Sequence, residues 1–568
     1  MKYKNTALLL LSGAALLFTG CKEDFLDVDH YSVLPGDYMF RSEDNVNAGL
    51  IGCYDPFYPD KKNSQGIGDC FMWGFKPNFE VANFFTLDVN NGVGNGNFFE
   101  LYNPNHGDLR PIWGYQYEGV TRCNNFLVGI DKMDASLFKN GETAKKRLIA
   151  EAKAMRGMYY YGLVKHFGRV PLLLEGDTYS ATPHKARCEK IEDAWGQIVK
   201  DSEEAAAVLD WTPYNNEYGR VTKGSALAYA AKAYMNMGDY DKAKSIYKQI
   251  IESNTYELLP CFSYLYDTDK GWTKEDIWCV AMYTDDGPNK GSASGWDPTE
   301  DHYIYTPYTT AGQEFGGWGS LHISWECYYS FEPGDRRRQY SMVALGETNP
   351  FTKQTIGSSW ANKVKTGASC APNIYSLKFW RERADYAPDH LNQPLALRHF
   401  RYAEALLDYA ECCFRTGDEP TGWKYIGIIR DRAWGNKEVG LNNPDYPFEL
   451  LDAQVNVSDA KTYYTRYAAE KGYSAEVWNV AVAMERRHEF NAEFSLFYDL
   501  RRQGILPEFI EREYPKGVGV PNTDPTSKDN WHFYRTFDFL PDRMWFPIPQ
   551  KEIETNDLIT EADQNPGY

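Results

Sequence analysis

Residues 223–253 constrain the fold more than any other stretch of this chain. They read KGSALAYAAKAYMNMGDYDKAKSIYKQIIES. Ala226, Ala228, Ala230, Ala231 and Ala233 crowd the first half, and a second amphipathic run follows over 240–251. Small side chains let two helices approach closely, and Gly238-Asp239 ends the first one. The pattern predicts a helical hairpin. Such a unit cannot bury its apolar face alone, so it also predicts further helices to pack against. Periodic small residues mark core, which makes the hairpin a packing unit rather than a chemical one.

The spacing of Leu227, Ala231, Tyr234, Gly238, Tyr240, Ala243 and Tyr247 resembles one tetratricopeptide repeat. Ala410 and Gly417 repeat the offset of Ala231 and Gly238. A helix is therefore expected over 397–416, with a return helix over 425–434. Further helices are expected over 43–54, capped by Ser42, and over 113–130, 145–167, 189–209 and 477–503. His166 is expected to act as a favourable charge at the end of its helix. Pro547 and Pro549 predict an extended segment near the C-terminus.

Two stretches lose this periodicity. Residues 66–107 are rich in Gly, Asn and Phe, and 285–319 carry Trp296, Tyr303, Tyr305, Tyr308 and Trp318. Long segments without periodicity are functional or disordered, and this aromatic density argues against disorder. The whole chain has 42 Tyr, 30 Phe and 16 Trp, more than an ordinary core needs. An aromatic ring can stack on the C–H face of a sugar while neighbouring polar groups bind its hydroxyls. Trp73, Trp296, Tyr303 and Trp318 are the candidate glycan-binding residues. Burial of each ring beneath its own loop is the competing reading.

Other motifs are weaker. Gly92, Gly94 and Gly96 lack the Lys-Ser/Thr of a phosphate loop, and Asp88 with Asn90 lacks the Gly and closing Glu of a calcium loop. Eleven cysteines show no metal-ligand spacing, and adjacent Cys412-Cys413 read as buried thiols. No cofactor, metal site or catalytic residue is implied. With 60 Lys and Arg against 79 Asp and Glu the net charge is −19, and no large basic cluster exists, which argues against nucleic acid as a partner. Glu485-Arg486-Arg487 and Arg501-Arg502 raise the possibility of an anionic ligand; ion pairing along the helix with Glu489, Glu493 and Asp499 is the reading the spacing favours. Asp335-Arg336-Arg337-Arg338 reads as structural or solvated.

The N-terminus points to the cell envelope. Lys2 and Lys4 precede an apolar run over 7–18, too short to span a bilayer comfortably but suited to a secretory signal. Phe18-Thr19-Gly20-Cys21 resembles a bacterial lipobox, with Phe18 departing from the usual Leu. Cys21 is the expected lipidation site and would anchor the chain without spanning the membrane. An ordinary signal peptide with an incidental cysteine is the alternative. Lys22-Glu23-Asp24 resembles the surface-export signal of Bacteroidetes lipoproteins.

Taken in order, several stretches are similar to the SusD/RagB family of outer-membrane nutrient-binding lipoproteins. They are the lipobox, GRVTKGSALAYAAKAYMNMGDYDKA, RYAEALLDYAE from Arg401, ERRHEFNAEFSLFYDLRRQG from Glu485, FPIPQKEI, and the terminal QNPGY. The resemblance implies a mainly α fold of four tetratricopeptide-like helical hairpins with long irregular loops. It implies a signal peptide over 1–20, a lipidated N-terminal tether over 21–40, a SusD-like N-terminal region over 41–320 and a SusD/RagB C-terminal region over 321–568. It further implies a non-catalytic protein that captures oligosaccharides, or peptides in RagB-like relatives, for a SusC-like TonB-dependent transporter in the outer membrane. A secreted helical glycoside hydrolase is the alternative of another class; it needs two carboxylates about 5–10 Å apart, and no motif places them.

Overall fold

The computed structural model describes residues 36–57, 81–90, 102–107, 109–177, 184–266, 272–281, 322–344, 346–351, 353, 355, 374–378, 396–436, 438–441, 456–521, 531–535 and 540–568. Among these, twelve helices have eight residues or more. They are α1 Glu43–Tyr54, α2 Leu109–Asp131, α3 Gly141–Phe167, α4 Ile191–Ala206, α5 Lys223–Asn236 and α6 Tyr240–Glu252. After a mixed middle region come α7 Tyr402–Arg415, α8 Glu419–Ala433, α9 Ala460–Lys471, α10 Val477–Phe490, α11 Leu496–Gln503 and α12 Leu506–Glu513. Each of α2 to α7 packs on the next, α7 on α8 and α10, and α9 on α10, so the core runs along a stack of helix pairs. The fold is mainly α and built of tetratricopeptide-like hairpins, as the sequence predicts. No helix among the described residues is long and apolar enough to cross a membrane.

The opening hairpin is α5 and α6. Thr222 and Ser225 cap α5 reciprocally, with Ser225 N–H donating to Thr222 Oγ1 at 3.2 Å and Thr222 N–H to Ser225 Oγ at 2.8 Å. All five alanines of its first half are fully buried, so the neighbouring helices meet its backbone closely. Gly238 then takes φ +78°, and Asp239 caps α6 by accepting from Lys242 N–H. The α7–α8 hairpin repeats this turn. Gly417 has φ +81°, and Asp418 accepts from Thr421 N–H. Asp239 N–H reaches Tyr234 O at 2.9 Å, and Asp418 N–H reaches Cys413 O at 2.8 Å. Ser42 caps α1 as expected, and Cys412 and Cys413 are buried.

Three expectations are corrected. The segment 397–416 is not one helix: Ala396–Arg401 is strand β6, paired antiparallel with β2, Asp276–Ala281, and α7 begins only at Tyr402. The ladder partner lies more than a hundred residues away, where local periodicity cannot register it. The run 477–503 divides at Asn491–Ser495, where Ala492 adopts φ +55° and Glu493 is drawn out to Lys378 and Arg401. His166 is fully buried, with Nδ1 2.5 Å from Gly162 O. Burial, reinforced by Lys165, pushes its pKa well below the usual imidazole value, so it is neutral and supplies no end charge.

The C-terminal motifs form a clamp on the end of α3. Gln564 brackets Ile548, accepting from its N–H at 2.7 Å and donating to its carbonyl at 3.0 Å. Asn565 donates to Phe167 O and Phe546 O, and Arg187 donates to Asn565 Oδ1 at 2.6 Å. The extended stretch before Gln550 agrees with the two prolines.

Candidate functional site

A four-stranded sheet of order β1-β3-β5-β4 sits beside the end of α10. It comprises β1 Val89–Asn90, β3 His322–Ile323, β4 Met342–Ala344 and β5 Ile374–Ser376. β1 and β3 are antiparallel, with Val89 opposite Ile323 and Asn90 opposite His322. Asn90 belongs to the first aromatic-rich segment, and His322 stands four residues after Trp318. A residue of the first segment is therefore the direct ladder neighbour of one that stands three residues past the second. Trp73, Trp296, Tyr303, Trp318 and Cys21 themselves lie outside the described residues.

What fixes these strand ends is a buried charge assembly radiating from α10. Arg487 grips Asp88, the residue before β1, with Nη2–Oδ1 at 2.7 Å and Nε–Oδ1 at 3.0 Å. The Asp88 carbonyl accepts from Ser324 N–H, just after β3, at 2.8 Å. One aspartate thus ties both strands to the helix. Leu87, immediately before it, is buried with φ +64°, a left-handed conformation that costs a side-chain-bearing residue about 1–2 kcal/mol. Strain of this kind persists only where surroundings over-determine the backbone. After β5, Lys378 Nζ reaches Glu493 Oε1 at 2.6 Å and Glu489 O at 2.7 Å. Before β4, Arg337 pairs with Asp335, Glu485 and Glu489.

These pairs settle the reading of the charged motifs. Glu489 is shared by Arg337, Arg401 and Arg432. Burial alone would raise the pKa of Glu489, but the three guanidiniums outweigh it and hold the carboxyl at about 2. Arg486 pairs with Asp408, Glu411 and Asp499, and Arg502 with Glu411 and Asp499. Ion pairing is the role of these arginines, but across helices and in the core rather than along one solvated face. Arg501 differs: it donates to the carbonyls of Met544 and Lys165 and lies 3.8 Å over the Trp545 ring. The 335–338 run is structural at Arg337, which is fully buried. Asp88, considered for a calcium loop, is taken by Arg487, and no cluster of metal-ligating side chains occurs among the described residues.

Sequence reasoning passed over two features. Lys232, inside the alanine-rich helix, is buried and reaches Glu404 at 2.6 Å, Asp408 at 3.0 Å and Asp499 at 3.1 Å. A lone Lys on an otherwise apolar face was the available signal. Trp325, Tyr328 and Tyr329 follow β3 directly and form a mutual cluster, with Trp325 and Tyr329 stacked at 5.6 Å and Tyr328 half-buried. The triplet of rings in SWECYY falls just past the end assigned to the second aromatic segment.

The model of the "SusD family" matches residues 274–568, and that described as "Starch-binding associating with outer membrane" matches 24–235. SusD-like protein P2 of Formosa agariphila is 23% identical over the whole of both chains. A SusD-like carbohydrate binding protein from Bacteroides fragilis is similar in structure, with TM-score 0.68 and 21% identity, covering 90% of this chain and 98% of that one. Surface glycan-binding protein A from Bacteroides thetaiotaomicron, in complex with laminarihexaose, gives TM-score 0.65 at 19% identity over 92% and 99% of the two chains. With the C-terminal half matched throughout and the helical framework shared, the chain belongs to the SusD/RagB family.

Proposed function

We propose that this chain is a non-catalytic outer-membrane lipoprotein, anchored through Cys21 and facing outward, that captures oligosaccharides and delivers them to a SusC-like TonB-dependent transporter. The observation that carries the reading is the pairing of Asn90 with His322. It joins a residue within the first aromatic-rich segment to one three residues past the second, which supports a common base for rings distant in sequence. Glycan capture needs such a composite of flat rings and polar groups. The fold shared with a protein held in complex with laminarihexaose supports a saccharide ligand, and the outer-membrane wording of the matched family supports the location. Trp73, Trp296, Tyr303 and Trp318 are the proposed contact residues, with Tyr328 and Tyr329 at the base.

Affinity electrophoresis and calorimetry against a polysaccharide panel test the proposal. Binding to at least one glycan is expected, and Trp73→Ala, Trp296→Ala or Trp318→Ala should lower its affinity about tenfold. Clear binding to peptides with none to any glycan would replace the saccharide by a peptide ligand. Unaltered affinity in all three variants would reject the proposed contacts.

A further inference from the structure

We propose that Tyr218 and Trp272 form a second saccharide platform, separate from the base of the aromatic-rich segments, which holds a remote part of the same polysaccharide chain. The inference rests on the saccharide-binding reading above and adds a site to it.

Tyr218 is the most exposed large hydrophobic side chain among the described residues, at 62%. A single exposed apolar residue means little. Here, however, the half-buried Trp272 stands beside it, with ring centroids 5.7 Å apart and planes inclined by 34°. The two rings form an open, tilted pair rather than a closed stack. The Tyr218 hydroxyl, the Trp272 indole N–H and the side-chain amides of Asn215 and Asn216 make no hydrogen bond within the described residues. Flat apolar area next to unused donors and acceptors is what a pyranose ring requires.

The turn that presents Tyr218 is rigid. Asn215 and Asn216 both adopt left-handed backbone, with φ +53° and +57°. Glycine would take these conformations more easily; asparagine tolerates them and brings two exposed amides. Arg147 packs 3.6 Å from the Tyr214 ring centroid and Arg220 5.6 Å from it. Both arginines pair with the buried Glu151, and Arg220 also pairs with Glu217, next to Tyr218. The turn is thereby bolted to α3 and little conformational freedom is left to lose on binding.

Trp272 lies four residues before β2, and the chain enters the second aromatic segment only beyond the far end of that strand. The six-residue strand between them is itself about 17 Å long. A hexasaccharide held at the main site does not need the platform, whereas a polymer can engage both and gain avidity.

The test uses the full chain in affinity electrophoresis with laminarin and soluble starch, and calorimetry with a hexasaccharide of the retarding polymer. For a polymer that retards the wild type, Tyr218→Ala/Trp272→Ala should weaken apparent affinity about tenfold, with hexasaccharide affinity within about twofold of wild type. Tyr218→Ser alone, exposed and outside the core, should give an intermediate loss at unchanged thermal midpoint. Unchanged polymer affinity in the folded double variant overturns the platform and leaves the saccharide reading intact. An equal loss for the hexasaccharide overturns its separateness. A wild type retarded by no polysaccharide overturns both.

Discussion

Arg487 and Asp88 meet in the core through a forked contact, 399 residues apart in sequence, with Nη2–Oδ1 at 2.7 Å. The pair places β1, which lies within the first aromatic-rich segment, directly against α10. Removing one partner of a buried pair costs about 3–5 kcal/mol, and because Glu513 still pairs with Arg487 at 2.9 Å the lower end applies here. Asp88→Asn should lower the unfolding free energy obtained from guanidinium denaturation by about 3 kcal/mol. It should also weaken saccharide affinity, because Ser324 and Asn90 are held through the same residue. Arg487→Lys keeps the charge but loses the fork, so it should fall between wild type and Asp88→Asn in both assays. Wild-type stability in Asp88→Asn would dismiss the pair as an anchor.

Acid should attack the core through Glu489 and Glu411. Burial opposes ionisation of Glu411, but Arg502, Arg486 and Arg415 overcome it and hold its pKa at about 2, as happens at Glu489. An unfolded glutamate titrates near 4.3, so both depressed carboxyls contribute their full stability above about pH 5 and lose it as pH falls toward 2. Thermal midpoints should drop steeply across that window. Glu489→Gln strips the shared acceptor from three arginines and should cost about 3–5 kcal/mol at pH 7.

Glu404 should behave in the opposite sense. Four buried carboxylates, Glu404, Asp408, Glu411 and Asp499, face the cations Lys232, Arg486 and Arg502. Burial raises the pKa of Glu404 to about 7; Lys232 lowers it, while Asp408 and Asp499 reinforce the rise. A carboxyl raised in the folded state stabilises most fully below the unfolded value and loses that contribution as pH rises through 7. Stability from this group should therefore decline as pH rises from about 4.5 to 7 and level off above that. Glu404→Gln, which resembles the protonated acid, should stay within about 1 kcal/mol of wild type at pH 7 and flatten this decline. Asp408→Asn, by contrast, should cost about 3 kcal/mol or more.

The helices were legible because their signals are local. The alanines of α5, the Gly238-Asp239 turn and the Ser42 cap each act within one or two turns of chain. Strand β6 was not legible, since its ladder partner β2 is remote, and neither was the break at Ala492, which exists because Lys378 and Arg401 capture Glu493. Charge spacing disclosed that α10 and α11 would pair their ions. It did not disclose that Arg486, Arg487 and Glu489 would do so in the core with partners on α7, α8, α11 and β6 and in the residues before β1 and β4. For the candidate site, composition marked the two aromatic-rich segments, but the pairing of Asn90 with His322, just past the second, is a long-range contact that no local spacing records. The same limit hid Tyr218 and Trp272, whose proximity no sequence spacing records.

The equivalence of the two hairpin turns gives a matched pair of substitutions. Gly238 and Gly417 both sit left-handed at the end of a helix, and a Cβ at either would meet nothing within 4 Å. Substitution there carries no clash, so its cost is the backbone preference alone, about 1 kcal/mol for alanine in this region. Gly238→Ala and Gly417→Ala should each lower stability by about that much, and the double variant by their sum, because the sites make no shared contact. Asparagine tolerates left-handed backbone better, so Gly238→Asn should cost less than Gly238→Ala. Denaturant midpoints measured for the four variants decide the matter. A loss several times larger at one turn alone would mean that the hairpins are not energetically equivalent despite their matching geometry.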